Sequence, residues 1–361
     1  MTTINITKKC LEINDDDKLV FGDGGSTAII LIKDKYAYKI FTLYSFSDNP
    51  NKKKNRKIMN KNTINEMMIY MLLTIKIINE KISNHIVKCY ELFECDNAEK
   101  IFNKCGKSYV DFIKTEDNKK LKLCYQYFSN YPNKKLEKNY KAIKMEYCDY
   151  SCAEFISDIS QMPSIMIEKY LDVFFFQMLH TLLSIQSVFP SFNHNDLFIR
   201  NIIGLKEKDN GNYYCYRYLE HKYYVPQLLF YPKINDFGLT NLNEEYFDKI
   251  ISDNPNAKQK DFYNLLIDVY NGSNTGSQSL TTLLKDNPDK MKKIKKYFSN
   301  YFDTDVIDEY IEKSKTEMNW NWNNILCDEF YNSIKMKTPD ILMTEYFHNI
   351  YQKTGKLIKT K

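Results

Sequence analysis

Glycine and proline are scarce in this chain, 10 and 9 among 361 residues. Turns therefore fall largely to Asn and Asp. The nine cysteines include no CxxC, and the closest pair, Cys148 and Cys152, has no second pair to complete a zinc site. An odd number of thiols without a framework fits a reducing compartment. No long apolar run is free of polar groups. The most apolar stretch, YLDVFFFQMLHTLLSIQSVF (170–189), carries Asp172, Gln177, His180 and Gln186. Those make it a poor membrane span and a good buried helix. The N-terminus, MTTINITKKC, is too polar for a signal peptide. There is no fixed-period repeat. The expectation is a soluble, intracellular protein without a membrane span.

Hydrophobic residues make up 43% and charged residues 27%, a globular balance, with 29 Tyr and 22 Phe available for a core. The length allows one large or two ordinary domains. The net charge of +5 is modest and scattered. Its one dense run, KKKNRK (52–57), reads as a solvated loop or as a contact to nucleic acid or an acidic surface; nucleic acid is not otherwise indicated.

Period-2 patterning dominates the first part. KLVFGDGGSTAIILIKDKYAYKIF (18–41) predicts strand, Gly-rich turn, strand, tight turn at Asp34–Lys35 and strand. Helical spacing follows in TINEMMIYMLLTIKII, with Met67, Tyr70, Met71, Ile75 and Ile78 on one face. HIVKCYELFEC (85–95) and YKAIKMEYC (140–148) read as strands, separated by a polar, basic insertion at about 96–140. Beyond it the pattern turns helical. Pro163 suits a first turn, and Ile167, Leu171, Phe174, Phe175, Met178, Leu182 and Ile185 recur at three and four up to Pro190. A second insertion lies at about 204–232. QKDFYNLLIDVY (259–270) and TPDILMTEYFHNIY (338–351) read as helices, the latter with Thr338 as cap and Pro339 as first residue.

Several polar residues interrupt this apolar framework. Gly22, Gly24 and Gly25 in FGDGGSTA suit either a hairpin turn or a backbone cradle for a polyphosphate. A strand follows rather than a helix, which argues against the dinucleotide fingerprint. Lys39 sits in an apolar strand, as an edge or snorkelling lysine or as a phosphate ligand. Glu66 either caps its helix through the Thr63–Glu66 spacing or holds Lys39. In FNHNDLFIRNII (192–203), Asp196 and Asn201 stand five apart after a buried helix. A carboxylate so placed can accept a hydroxyl proton, typically worth ~10²–10⁴ in rate. Asn201 offers a neutral oxygen, and Asp236 in NDFG a carboxylate, both suited to magnesium.

The order of Gly-rich hairpin, strand lysine, helix glutamate, HxDxxxxN and DFG resembles the protein-kinase fold. SNHIVKCYELFEC and KMEYCDY look like a kinase's fourth and fifth strands and hinge, and QKDFYNLLIDVY like the helix whose aspartate, here Asp261, braces the catalytic loop. The stretch ending YYVPQLLFYPKINDFG resembles the serine/threonine kinases of large nucleocytoplasmic DNA viruses. The resemblance covers roughly 18–350 and implies an α+β, two-lobed protein kinase-like fold. Its β-rich N-lobe would be 1–146 and its mainly helical C-lobe 147–361. ATP and Mg²⁺ would lie in the cleft between them. It further implies Lys39 on the α- and β-phosphates and paired with Glu66, Asp196 as base, Asn201 and Asp236 on magnesium, and Met145 as gatekeeper. Glu146 and Cys148 would present hinge backbone to adenine, and a protein would be the substrate.

The chain departs from that pattern at definite positions. Thr27 stands at the third glycine, Asn195 at the arginine of HRD and Phe198 at the lysine that usually neutralises the γ-phosphate; Arg200 is the nearby cation. No APE motif follows DFG, an abbreviation shared with haspin-like kinases. The stretch 239–258 offers Thr240, Tyr246 and Ser252 as phosphate acceptors. Alternatives are a pseudokinase acting as a binding module, or a small-molecule kinase of the choline or aminoglycoside type.

Overall fold

The computed structural model describes residues 5–8, 10–12, 17–21, 28–44, 63–96, 136–242, 257–272, 279–316 and 337–351. The glycines at 22, 24 and 25, Thr27, the 52–57 run, Tyr246 and Ser252 lie outside them. The fold is α+β. The chain separates into two compact units, Met1–Lys81 with Val87–Tyr147, and Ile82–Ile86 with Cys148–Lys361.

The first unit is a six-stranded sheet in the order β1-β5-β6-β4-β3-β2. Its strands are β1 Asn5–Thr7, β2 Lys18–Phe21, β3 Ala28–Lys33, β4 Tyr36–Tyr44, β5 Cys89–Cys95 and β6 Leu136–Glu146. The β3–β4 turn is made as its residues suggest, with Asp34 and Lys35 at φ 51° and 65°. Helix α1 (63–73) runs into a π-helical turn, Thr74–Ile78, and buries Tyr70, Leu73 and Ile77. The Thr74 hydroxyl accepts from Cys89 N at 2.9 Å, tying this turn to the start of β5.

Two features correct the sequence reading. β1 pairs in parallel with β5, Thr7 opposite Phe93, and this pairing leaves the Cα atoms of Cys10 and Cys95 4.5 Å apart and their sulfurs bonded. The nine thiols are therefore not all free. The cause is a strand pairing across 85 residues, which no local spacing announces. The predicted strand 85–95 is also shorter, and β5 begins at Cys89. Residues Ile82–Ile86 leave the sheet and belong to the helical unit.

The second unit is built on α2 (Cys152–Ser160), α3 (Ser164–Val188), α4 (Ala257–Asn271) and α5 (Pro288–Phe298). α2 starts on a capping box in which Ser151 and Glu154 satisfy each other's backbone N–H groups. All seven predicted core positions of α3 are buried. Phe175 packs edge-on against Phe262, Phe298 and Tyr301. α3 is long and apolar enough to cross a membrane, but 72% of its apolar window is buried in the protein, as in a core helix. Its Asp172 accepts from the hydroxyls of Tyr297 at 2.9 Å, Tyr346 at 2.9 Å and Tyr301 at 3.4 Å. Burial still lifts that carboxyl to about 6. Thr338 caps the C-terminal helix as expected.

The second insertion is ordered. Between β8 (Ile202–Lys206) and β11 (Phe230–Ile234) it forms a hairpin of β9 (Tyr213–Tyr218) and β10 (His221–Pro226), while β11, β8 and β7 (Tyr150–Ser151) make a small sheet. Gly204 is required in β8, because any Cβ there would collide with the backbone carbonyl of Tyr231. A hydrogen-bond chain pins the hairpin. Gln177 Nε2 donates to Tyr216 Oη at 3.0 Å, Tyr216 donates to His85 Nε2 at 2.6 Å, and His85 Nδ1 donates to Pro232 O at 2.7 Å.

His85 is fully buried, and desolvation pushes its pKa down to about 3 against the opposing Pro232 carbonyl. The unfolded chain takes up a proton near pH 6.5 that the folded chain refuses. Stability at this site is therefore complete above pH 6.5 and is lost as pH falls, by about 1.4 kcal/mol per unit. Urea unfolding of a His85→Gln variant should show about 2 kcal/mol less acid loss between pH 6.5 and 5 than the parent. Equal losses would mean that His85 is not held neutral.

Candidate functional site

The predicted site residues fall into two groups, one in each unit. In the first, Lys39 lies on β4 between β3 and β6, facing Ile30 and Ile143 across the ladder. It is thus central, not an edge residue, and is 6% exposed. Its Nζ meets Glu66 Oε1 at 2.5 Å, and Glu66 is also 6% exposed. The glutamate is turned to the lysine from α1. A buried ammonium needs such a partner, since an isolated charge of this size costs several kcal/mol to desolvate. Met145 is buried in β6 between Ala37 and Cys89. Glu146 ends β6; its N–H donates to Lys88 O at 2.9 Å, and its carboxylate accepts from Lys88 N at 3.4 Å. Cys148, half-buried, falls just past the boundary, in the second unit.

In the second unit Asp196, Asn201 and Asp236 are gathered on two adjoining loops. Asn201 Nδ2 donates to Asp196 Oδ2 at 2.7 Å and to the Asp196 carbonyl at 2.6 Å. This fixes the carboxylate and spends the amide's donor end, leaving its oxygen end to face elsewhere. Arg200 is paired with Asp196 Oδ1, and its guanidinium lies 4.7 Å from the Phe198 ring centre. Asn235 N donates to Asn201 O at 2.9 Å, which sets Asp236 beside the pair, at φ 62°. Burial raises the Asp196 pKa and Asp236 adds to the rise, while Arg200 and Asn201 oppose it. The result is an oriented carboxylate more basic than a solvated one.

Helix α4 holds this loop at both ends. Asp261 accepts from His194 N at 2.5 Å and Asn195 N at 2.9 Å, and Asp268 accepts from Ile199 N at 2.7 Å. The two carboxylates are seven residues apart, two helical turns, and so share one face. Burial lifts Asp261 to about 6. His194, fully buried, donates from Nε2 to Asn235 O at 3.0 Å and is pushed by desolvation to about 4. The sequence reading named Asp261 but missed Asp268, although the seven-residue spacing signals it. It also missed the Arg200–Asp196 contact. The i,i+4 spacing permitted that contact, but the turn between the two residues is a 3₁₀ turn, Ile199–Asn201, inside a loop.

This chain is 29% identical over 364 aligned positions to a protein of Acanthamoeba polyphaga mimivirus named "putative serine/threonine-protein kinase", covering 90% of this chain and 87% of that relative. No family model matches the chain. The similarity supports a kinase-type function.

The Lys39–Glu66 pair can be tested for what it does. Glu66→Ala leaves a buried ammonium and should cost about 3–5 kcal/mol in urea unfolding. The double variant Lys39→Met, Glu66→Leu should recover most of that stability. A double variant as unstable as Glu66→Ala would show that the lone ammonium is not the cause of the loss.

Proposed function

We propose that this protein is an ATP- and Mg²⁺-dependent phosphotransferase, a serine/threonine protein kinase of viral type acting inside the cell. The two units serve as its N-lobe and C-lobe. The observation that carries the reading is the Asp196 carboxylate. One oxygen is fixed by Asn201 and the other by Arg200, on a loop braced by two buried carboxylates of α4. The relative's name points the same way.

Asp196 accepts the proton of the attacking hydroxyl. Its raised basicity favours that transfer, and the Asn201 amide keeps the accepting oxygen in place. Lys39, held by Glu66, supplies a fixed positive charge for phosphate oxygens. Arg200 supplies a second charge where Phe198 replaces a lysine. The donor set fits magnesium: the Asp236 carboxylate and the Asn201 amide oxygen are hard oxygen ligands, and the Asn201 nitrogen is already committed to Asp196. When bound, the ion would neutralise phosphate charge. By the resemblance, Met145, Glu146 and Cys148 would present backbone to adenine, and Gly22, Gly24 and Gly25, outside the described residues, would cradle phosphate.

ATP with Mg²⁺ should raise the melting temperature, and Asp236→Ala should abolish most of that shift. An equal shift with and without magnesium would indicate a nucleotide-binding module without transfer. Asp196→Asn should keep ATP affinity and lower turnover by about 10² or more, because the base acts on the hydroxyl and not on the nucleotide. γ-Labelled ATP offered with mixed proteins in one tube and with choline or aminoglycosides in another separates the acceptor classes; label on the small alcohols alone would refute the protein-kinase reading.

A further inference from the structure

The turn carrying Asp236 is bracketed by the two residues that precede Asp196. On its N-terminal side the His194 ring donates to Asn235 O at 3.0 Å. On its C-terminal side Asn195 Nδ2 donates to Leu239 O at 3.1 Å. The same amide nitrogen lies 3.4 Å from Asn193 O. Thr240 Oγ1 donates to His194 O at 3.4 Å, and Asn193 and Asn241 exchange backbone bonds of 3.1 and 2.8 Å. Both Asn195 and Asp236 adopt left-handed backbone, at φ 63° and 62°. In these bonds each donor is a neutral amide, hydroxyl or imidazole and each acceptor a backbone carbonyl. Thr240, one of the sequence-predicted phosphate acceptors, is 9% exposed with its hydroxyl already donating.

We propose that Asn195 is a positioning residue: its side-chain amide holds the Asp236 turn in register with Asp196 for phosphate transfer. The proposal rests on the phosphotransfer reading above. A left-handed φ alone could account for an asparagine at 195, because Asn tolerates that conformation better than most residues. Glycine tolerates it better still but has no amide. Asn195→Gly therefore separates the two roles, since a purely conformational asparagine would be replaced without loss.

The full chain is made in bacteria, and kcat and KM for ATP are measured on a generic protein acceptor, together with hydrogen exchange of the 237–242 backbone. Asn195→Gly should lower kcat at least tenfold, keep KM for ATP within threefold, and quicken exchange in 237–242 while leaving α4 protected. Asn195→Asp, which keeps the side-chain shape but replaces the donor with an acceptor, should show the same signature and decides the matter if Asn195→Gly fails to fold. An unchanged kcat in Asn195→Gly overturns the proposal whatever the exchange shows. If the parent transfers no phosphate to any acceptor, the phosphotransfer reading fails instead. Exchange in Asn195→Gly then decides the bracket alone, and unchanged protection of 237–242 refutes it.

Discussion

Two buried carboxylates on one helix face support the candidate site in the helical unit. Asp261 and Asp268 on α4 accept backbone N–H groups from both ends of the loop between His194 and Ile199. Without them three buried or half-buried donors would have no partner, each costing about 1–3 kcal/mol. The loop could then not keep the backbone that presents Asp196. The geometry of Asp196, and through Asn201 and His194 that of the Asp236 turn, follows from this brace. The polarity that seems misplaced in an apolar helix is what permits an irregular loop to be buried.

The sheet unit solves a related problem with charge. Lys39 stands on a central strand, where its side chain is almost wholly buried. Glu66 compensates it at 2.5 Å from α1. Buried pairs of this kind contribute little net stability, although removing one partner alone is costly.

The hairpin β9–β10 shows how an insertion can become structural. Its Tyr216 links Gln177 of α3 to His85, and the His85 carbonyl accepts from Ile234 N at 2.9 Å, two residues before Asp236. Named in the sequence only as an insertion, the segment packs Tyr216 and Tyr223 against Phe176 of the core helix.

Much of this architecture was legible in the chain itself. The three- and four-residue spacing along 167–185 specifies α3, because a helix that buries one face must repeat its apolar residues at that period. Asp34–Lys35 announces a hairpin, Thr338–Pro339 a helix start, and the five-residue interval of Asp196 and Asn201 a shared loop. These are local signals, carried by residues close in sequence. Tertiary structure alone decided the rest. The Cys10–Cys95 bond depends on β1 choosing β5 as its partner, and the excursion of Ile82–Ile86 depends on His85 finding Tyr216 and Pro232. Whether Glu66 caps its own helix or neutralises Lys39 is likewise settled by the approach of α1 to β4. Each of these joins residues tens to more than a hundred positions apart. Local periodicity says which face of an element is apolar, but not which element will cover it.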